Sequence, residues 1–267
     1  MPLGEGRGWA KGKTAAIDPR VARAAASHRG IVYERRTPVE LCRWPGLRRS
    51  PKFTWSRDLA HLVGLVATDG CLTERGHQID FVSRDLQLVE TFLHCLRRSV
   101  RYRSSATRAG NALYRAQFKD AALYRWLVEV GITPRKSLTL GALNVPDEHL
   151  AHAVRGLLDG DGSIVNKVSR FGSTGRGDYY WEYLRTQFVS ASEEHLVWLR
   201  QKLQLAVGIR GYVSGGSPRG TRHPLYQLGY GKQESVRLLG WLYSDTDAPC
   251  LVRKRSIWDD YRKRHGL

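Results

Sequence analysis

Two aspartates, Asp69 and Asp161, have surroundings that give them chemistry to do. Each closes a stretch that the chain contains twice. The first copy is Leu62-Val63-Gly64-Leu65-Val66-Ala67-Thr68-Asp69-Gly70, and the second is Val154-Arg155-Gly156-Leu157-Leu158-Asp159-Gly160-Asp161-Gly162. A mostly apolar run ending in Asp-Gly predicts a buried helix, stopped by a glycine in the left-handed position just past its end. Gly64 with Thr68, and Gly156 with Gly160, put small residues on one helix face, so two such helices can bring their backbones close. A carboxylate at a helix C-terminus faces the negative end of the macrodipole and unpaired carbonyls. If the helices pack in parallel, the two aspartates also repel each other. A divalent cation held by carboxylate and carbonyl oxygens relieves both costs. One Asp-Gly is ordinarily a turn; two on matching helices make a candidate site.

These stretches resemble the two signature motifs of the LAGLIDADG homing endonuclease family, and the second, continuing into RGLLDGDGSI, is the closer match. The first departs from the signature with Ala67 and Thr68 where the family often has Asp and Ala. The acidic position that the family uses for metal is kept as Asp69 and Asp161. The resemblance runs over roughly residues 56–258, including the segments GITPRKS and LVRKRS. It implies that Asp69 and Asp161 bind Mg²⁺ (or Mn²⁺), with the carbonyls of Thr68 and Gly160 as further ligands. Lys136 and Lys254 match basic residues that lie near the scissile phosphates in the family, which implies charge stabilisation or water positioning for them.

Composition bounds the partner. The chain has 267 residues, 42% of them hydrophobic, and eight tryptophans, which is enough for a folded globule with a sizeable core. Its formal net charge of +18 favours a polyanion, and nucleic acid is the default. No apolar run reaches the ~18 residues of a spanning helix and no signal peptide opens the chain, so no membrane partner is expected. Cys42, Cys71, Cys95 and Cys250 lack metal spacing and read as reduced thiols of a soluble intracellular protein, in cytoplasm or nucleoid, or in an organelle of a eukaryote.

The elements that must carry the aspartates repeat as well. Residues 1–55 read as a basic N-terminal extension, with one short helix over Asp18 to His28. Residues 56–145 and 146–267 read as two halves. In the first, Ser56 caps the signature helix. Strands Cys71–Thr73 and His77–Ser83 follow, then a helix from about Asp85 to Arg98, a hairpin of Arg101–Thr107 and Ala112–Lys119, and a helix from about Asp120 to Val130 stopped by Gly131. In the second, Phe188-Val189-Ser190 echoes Phe81-Val82-Ser83, and Arg253-Lys254 echoes Arg135-Lys136. The largest insertion, Asn166 to about Tyr180, is rich in Gly, Ser and Arg and reads as a loop, either one that grips DNA or a tolerated surface insertion. Leu251 to Arg264 reads as a last amphipathic helix. The fold class is α+β, and the resemblance implies two pseudo-symmetric αββαββα halves forming a saddle over DNA.

Period-2 alternation assigns the sheet faces. Ile79, Phe81, Tyr114, Ala116 and Phe118 point one way, and Arg115, Gln117 and Lys119 the other; Leu184, Thr186 and Phe188 alternate with Arg185 and Gln187. Arg and Gln read guanine and adenine edges, and a β-ribbon fits the major groove. With Arg101, Arg103, Arg219 and Arg222 of the hairpins, these are the candidate DNA contacts. The expected activity is that of a metal-dependent, site-specific endonuclease, acting as a monomer on double-stranded DNA with a long, near-asymmetric target. An opening Met and the lack of a C-terminal His-Asn favour a free-standing enzyme over an intein. The rival readings are an RNA maturase of the same fold, with RNA as partner, and a DNA-binding regulator that does not cleave.

Overall fold

A computed structural model describes residues 53–98, 100–107, 110–174, 177–216 and 224–267. The expected helix over Asp18 to His28, most of the basic extension, and the candidate contacts Arg219 and Arg222 lie outside them. Helix α1 (Arg57–Asp69) begins at Ser56, whose hydroxyl accepts the Leu59 amide at 3.2 Å. Asp58, buried in its first turn, is held by Arg97 Nη2 at 2.7 Å. Strands β1 (Gly70–Thr73) and β2 (Gln78–Ser83), helix α2 (Leu86–Leu96), strands β3 (Tyr102–Ala106) and β4 (Ala112–Lys119), and helix α3 (Ala121–Val130) follow. Gly131 ends α3 with φ 112°, the left-handed stop that its sequence predicts.

The second half repeats the order. Helix α4 (Leu150–Gly160) leads into β5 (Ser163–Thr174) and β6 (Gly177–Ser190), α5 (Glu193–Val207), β7 (Tyr212–Gly216), β8 (Leu225–Tyr230), α6 (Lys232–Leu242) and α7 (Val252–His265). Among the described residues there are two four-stranded antiparallel sheets, ordered β1-β2-β4-β3 and β5-β6-β8-β7. The matching strand orders make the halves pseudo-symmetric. One continuous apolar core links them, with Phe81 stacked on Phe92 at 4.4 Å in the first half and Phe188 edge-on to Tyr230 at 6.4 Å in the second. Phe53 and Trp55 lie against Trp126, at 5.3 and 5.0 Å between ring centroids.

The insertion after Asn166 is not a loop. It pairs as a long ribbon, from Ser163↔Gln187 out to Thr174↔Gly177, with one irregularity between Arg170 and Gly172. Its Gly and Ser content suggested irregular chain, but Val165, Val168, Trp181 and Tyr183 are strand formers, and cross-strand pairing outweighs composition.

The signature glycines are corrected too. Gly70 leaves α1 with φ −84°, and Gly162 takes no positive φ either, so neither is a left-handed stop. Each lets the departing strand press back on the helix it has just left. A Cβ on Gly70 would lie 2.6 Å from the Val66 carbonyl, and one on Gly162 would lie 2.7 Å from Leu158 Cα.

Candidate active site

Helices α1 and α4 meet side by side along their small residues. A Cβ on Gly64 would sit 2.7 Å from the Leu157 amide nitrogen, and one on Gly156 would sit 3.0 Å from Gly64 Cα. Further on, a Cβ on Gly160 would sit 2.9 Å from Asp69 Oδ2 and closer still to Thr68. The contacts advance along both chains together, from 64 against 157 to 69 against 160, so the helices are parallel. Both C-termini therefore arrive at one place, carrying Asp69 and Asp161.

Geometry decides their electrostatics. Burial, then the facing Asp161 carboxylate, raises Asp69 from its usual 3.8 to about 6. Asp161 reaches solvent, yet the protein mass around it still raises its carboxyl, opposed by Lys136 and Lys254. Two facing carboxylates, short of compensating charge, suit a hard divalent cation. Among the described residues, no three His, Cys, Asp or Glu side chains converge to hold a metal by themselves. The remaining positions of an octahedral ion would fall to carbonyls, water and substrate oxygens, the usual habit of Mg²⁺.

The raised Asp69 carboxyl makes the stability of the fold depend on pH. The folded state binds this proton more tightly than the unfolded chain, so stability falls as pH rises from about 4 to 6. Asp69→Asn removes that loss. In metal-free buffer we expect the variant to be more stable than the parent by about 1–2 kcal/mol at pH 7.5, after discounting for partial exposure, and the gain to vanish near pH 4. Urea titrations at the two pH values measure it; a variant less stable at pH 7.5 would refute the assignment.

Both lysines reach the site. Lys136 and Lys254 are buried, and burial lowers both ammonium pKa values. Lys136 Nζ donates to the Thr68 carbonyl at 3.2 Å. It opens a short 3₁₀ turn behind Arg135, which holds a left-handed φ of 58°. Lys254 Nζ donates to the carbonyls of Leu158, Asp159, Gly160 and Gly162 at 2.7, 2.8, 3.2 and 2.6 Å. It thereby neutralises the negative end of α4. The carbonyls of Thr68 and Gly160 thus already accept from ammonium groups, and each keeps a second lone pair for another partner. The two lysines differ in kind: among the described residues Lys254 is surrounded by acceptors, whereas Lys136 has one hydrogen bond.

Sequence reasoning passed over Asp159. It is fully buried, burial raises its pKa, and its Oδ2 accepts the Leu251 amide at 2.9 Å, at the start of the helix that carries Lys254. The available signal was an acid inside an apolar helix where the first copy has Ala67. Beside it, buried Arg155 donates to the Leu242 carbonyl at 2.7 Å and pairs with the His152 ring, while burial and Arg155 depress His61 to about 3.

The candidate DNA contacts fall on two sheet faces. Registers Asp80↔Gln117, Val82↔Arg115 and Arg103↔Arg115 place Arg103, Arg115 and Gln117 on the open face of the first sheet, and Gln78↔Lys119 adds Lys119. Arg101 is exposed just before β3. Asp80, the second residue missed, sits at the centre of this face and accepts from Gln78, Arg115 and Gln117 at 2.9, 3.0 and 2.7 Å. Its alternation with Ile79 and Phe81 was the available signal. In the second sheet Leu184, Thr186 and Phe188 are buried, leaving Arg185 and Gln187 on the other face. Cys71, Cys95 and Cys250 are free thiols, and no helix among the described residues is long and apolar enough to cross a membrane.

No protein-family profile matches this chain. No curated protein matches it either. Solved structures do. The meganuclease I-SmaMI bound to uncleavable DNA with a TTCT central four is similar with a TM-score of 0.51 and 13% identity, over 76% of this chain and 88% of that one. The same meganuclease with a TTGT central four also gives 0.51 and 13%, over 79% and 89%. A structure of I-SmaMI with uncleaved DNA target and calcium ions gives 0.50 and 12%, over 79% and 90%. At such identity the likeness shows the fold: two pseudo-symmetric halves of the LAGLIDADG homing endonuclease type.

Proposed function

We propose that this chain is a site-specific double-strand DNA endonuclease, with Asp69 and Asp161 as its metal-binding carboxylates. The observation that carries the reading is the pair itself. Two parallel helices, packed at glycine contact, deliver one carboxylate each to the axis relating two halves whose open strand faces carry Arg and Gln. A binding protein gains nothing from facing carboxylates at such a place, since they repel phosphates. One chain supplies both aspartates, so a monomer suffices, with duplex DNA spread along both sheets as the resemblance implies. The solved neighbours in the same fold were bound to DNA, one of them with calcium ions present.

Phosphodiester hydrolysis needs an activated water, relief of charge at the phosphoryl group and help for the leaving oxygen. Bound Mg²⁺ or Mn²⁺ supplies Lewis acidity and an acidified water. The chain's own residues do the rest. Asp69 and Asp161 would hold the cation through their carboxylates. Lys136, with a single hydrogen bond among the described residues, keeps protons for a phosphate oxygen or a water beside Asp69. Lys254 fixes the end of α4, and through it Asp161.

The test uses the full-length protein and a pool of duplexes with a randomised core. With Mg²⁺ or Mn²⁺ we expect double-strand ends at one recurring sequence, and binding without cutting when metal is withheld. Tight binding with no cutting in either metal would favour a regulator, and assistance to intron splicing without DNA cleavage would favour a maturase. Affinity should also fall steeply with salt, because each phosphate contact releases counterions. If six to ten phosphates are contacted, the loss is about 10³–10⁵ between 50 and 200 mM salt. A flat anisotropy titration over that range would overturn the DNA reading.

A further inference from the structure

The two open sheet faces have different chemistry. On the first sheet the face carries Val82 and Leu113 but no aromatic ring, and it is organised by Asp80 holding Gln78, Arg115 and Gln117. The equivalent face of the second sheet contains Val165, Trp181, Tyr183, Val189, Tyr212 and Leu225, placed together by the registers Val165↔Arg185, Lys167↔Tyr183, Ser169↔Trp181, Val189↔Gln227 and Tyr212↔Gly229. These are not buried side chains. Trp181 is 52% exposed and Tyr212 47%, and Val165 and Leu225 are similar.

The aromatic surface is built rather than incidental. Trp181 and Tyr183 pack ring to ring at 5.5 Å. The Arg185 guanidinium lies 5.4 Å from the centre of the Tyr212 ring, with Nη1 3.5 Å from the Tyr183 hydroxyl. Gly229 makes room for this layer: a Cβ there would lie 2.9 Å from both Arg185 Nη2 and the Tyr212 hydroxyl. Arg185 is thus engaged with the rings and is not reaching out alone for a guanine. Lys167 and Arg185 keep the face cationic, which suits a polyanion better than the apolar surface of another protein.

Resting on the endonuclease reading, we propose that the two halves read DNA by different means. The first sheet reads purine edges by hydrogen bonds, and the second reads thymine C5-methyl groups by apolar contact, so that the half-site under the second sheet is thymine-rich. In the major groove the methyl is the one apolar feature that the four bases offer, and it distinguishes T from C. Six apolar side chains on a cationic, groove-facing ribbon meet that feature. These six cannot make the bidentate pairs that Arg115 and Gln117 can, and on this face such pairs are left to Gln187 and Gln227.

Uracil in place of thymine removes only the methyl group. The target is first enriched from a randomised duplex pool without metal, using the full-length protein. Thymines are then replaced by uracil in one half-site at a time, and affinities are measured for the parent and for Trp181→Ala combined with Val165→Ala. We expect one half-site to lose about fourfold in affinity for each contacted thymine, the other to change by less than about twofold, and the loss to shrink in the double variant. Equal uracil effects in both halves, a uracil loss that the variant leaves unchanged, or an enriched site without a thymine-rich half would each overturn the proposal. Failure of the enriched duplex to be cut in Mg²⁺ is a separate outcome: it would sink the endonuclease reading and leave the thymine result standing.

Discussion

Asp69→Asn and Asp161→Asn should each slow double-strand cleavage by at least about a hundredfold, while duplex affinity stays within about twofold of the parent. The substitution keeps the shape of the side chain and removes the charge that would hold a cation. Neither aspartate lies on the strand faces offered to bases, so affinity has no reason to follow activity. The fold should survive. Burial and Asp161 push Asp69 up to about 6, so at neutral pH its charge is a cost to the folded chain, and Asn relieves it. Thermal stability, affinity without metal and cleavage in Mg²⁺ should be read on one preparation. Affinity falling in step with cleavage would make the aspartates structural, and full cleavage by both variants would remove them from the mechanism.

Gly156→Val is expected to destabilise the fold by about 3 kcal/mol or more, and Gly64→Val should behave alike. Even Ala carries a conflict. It favours a helix over Gly by about 1 kcal/mol, but its Cβ at 156 would lie 3.0 Å from Gly64 Cα and inside contact distance of the His61 carbonyl. Backbone atoms cannot swing aside as a flexible side chain does, so the helices must part. Parting them also separates Asp69 from Asp161. Urea unfolding at pH 7 should therefore show a lower midpoint, and whatever folded protein remains should cut poorly. A Gly156→Ala variant as stable as the parent would mean that α1 and α4 do not meet as closely as described.

Much of this could be read from residue order, because it depends on local rules. A mostly apolar run ending in Asp-Gly marked α1 and α4, period 2 marked the strands and assigned their faces, and Ser56 and Gly131 marked helix ends. Repetition located the aspartates, and the small residues foretold a close helix pair. Other features depended on what the chain meets after folding. Gly70 and Gly162 looked like left-handed stops, but their missing Cβ atoms serve the strand that doubles back over each helix. The ribbon after Asn166 owes its order to a partner strand, which composition cannot reveal. The match of Lys136 with Lys254 hid two different settings, one carbonyl acceptor against four among the described residues, since acceptors are met only in space. Asp159 and Asp80 gained partners from distant segments, Leu251 in one case and β4 in the other. Sequence determined which residues could do chemistry. Tertiary contact decided their distances, their protonation and which of them remain free to act, because each of those depends on neighbours far away along the chain.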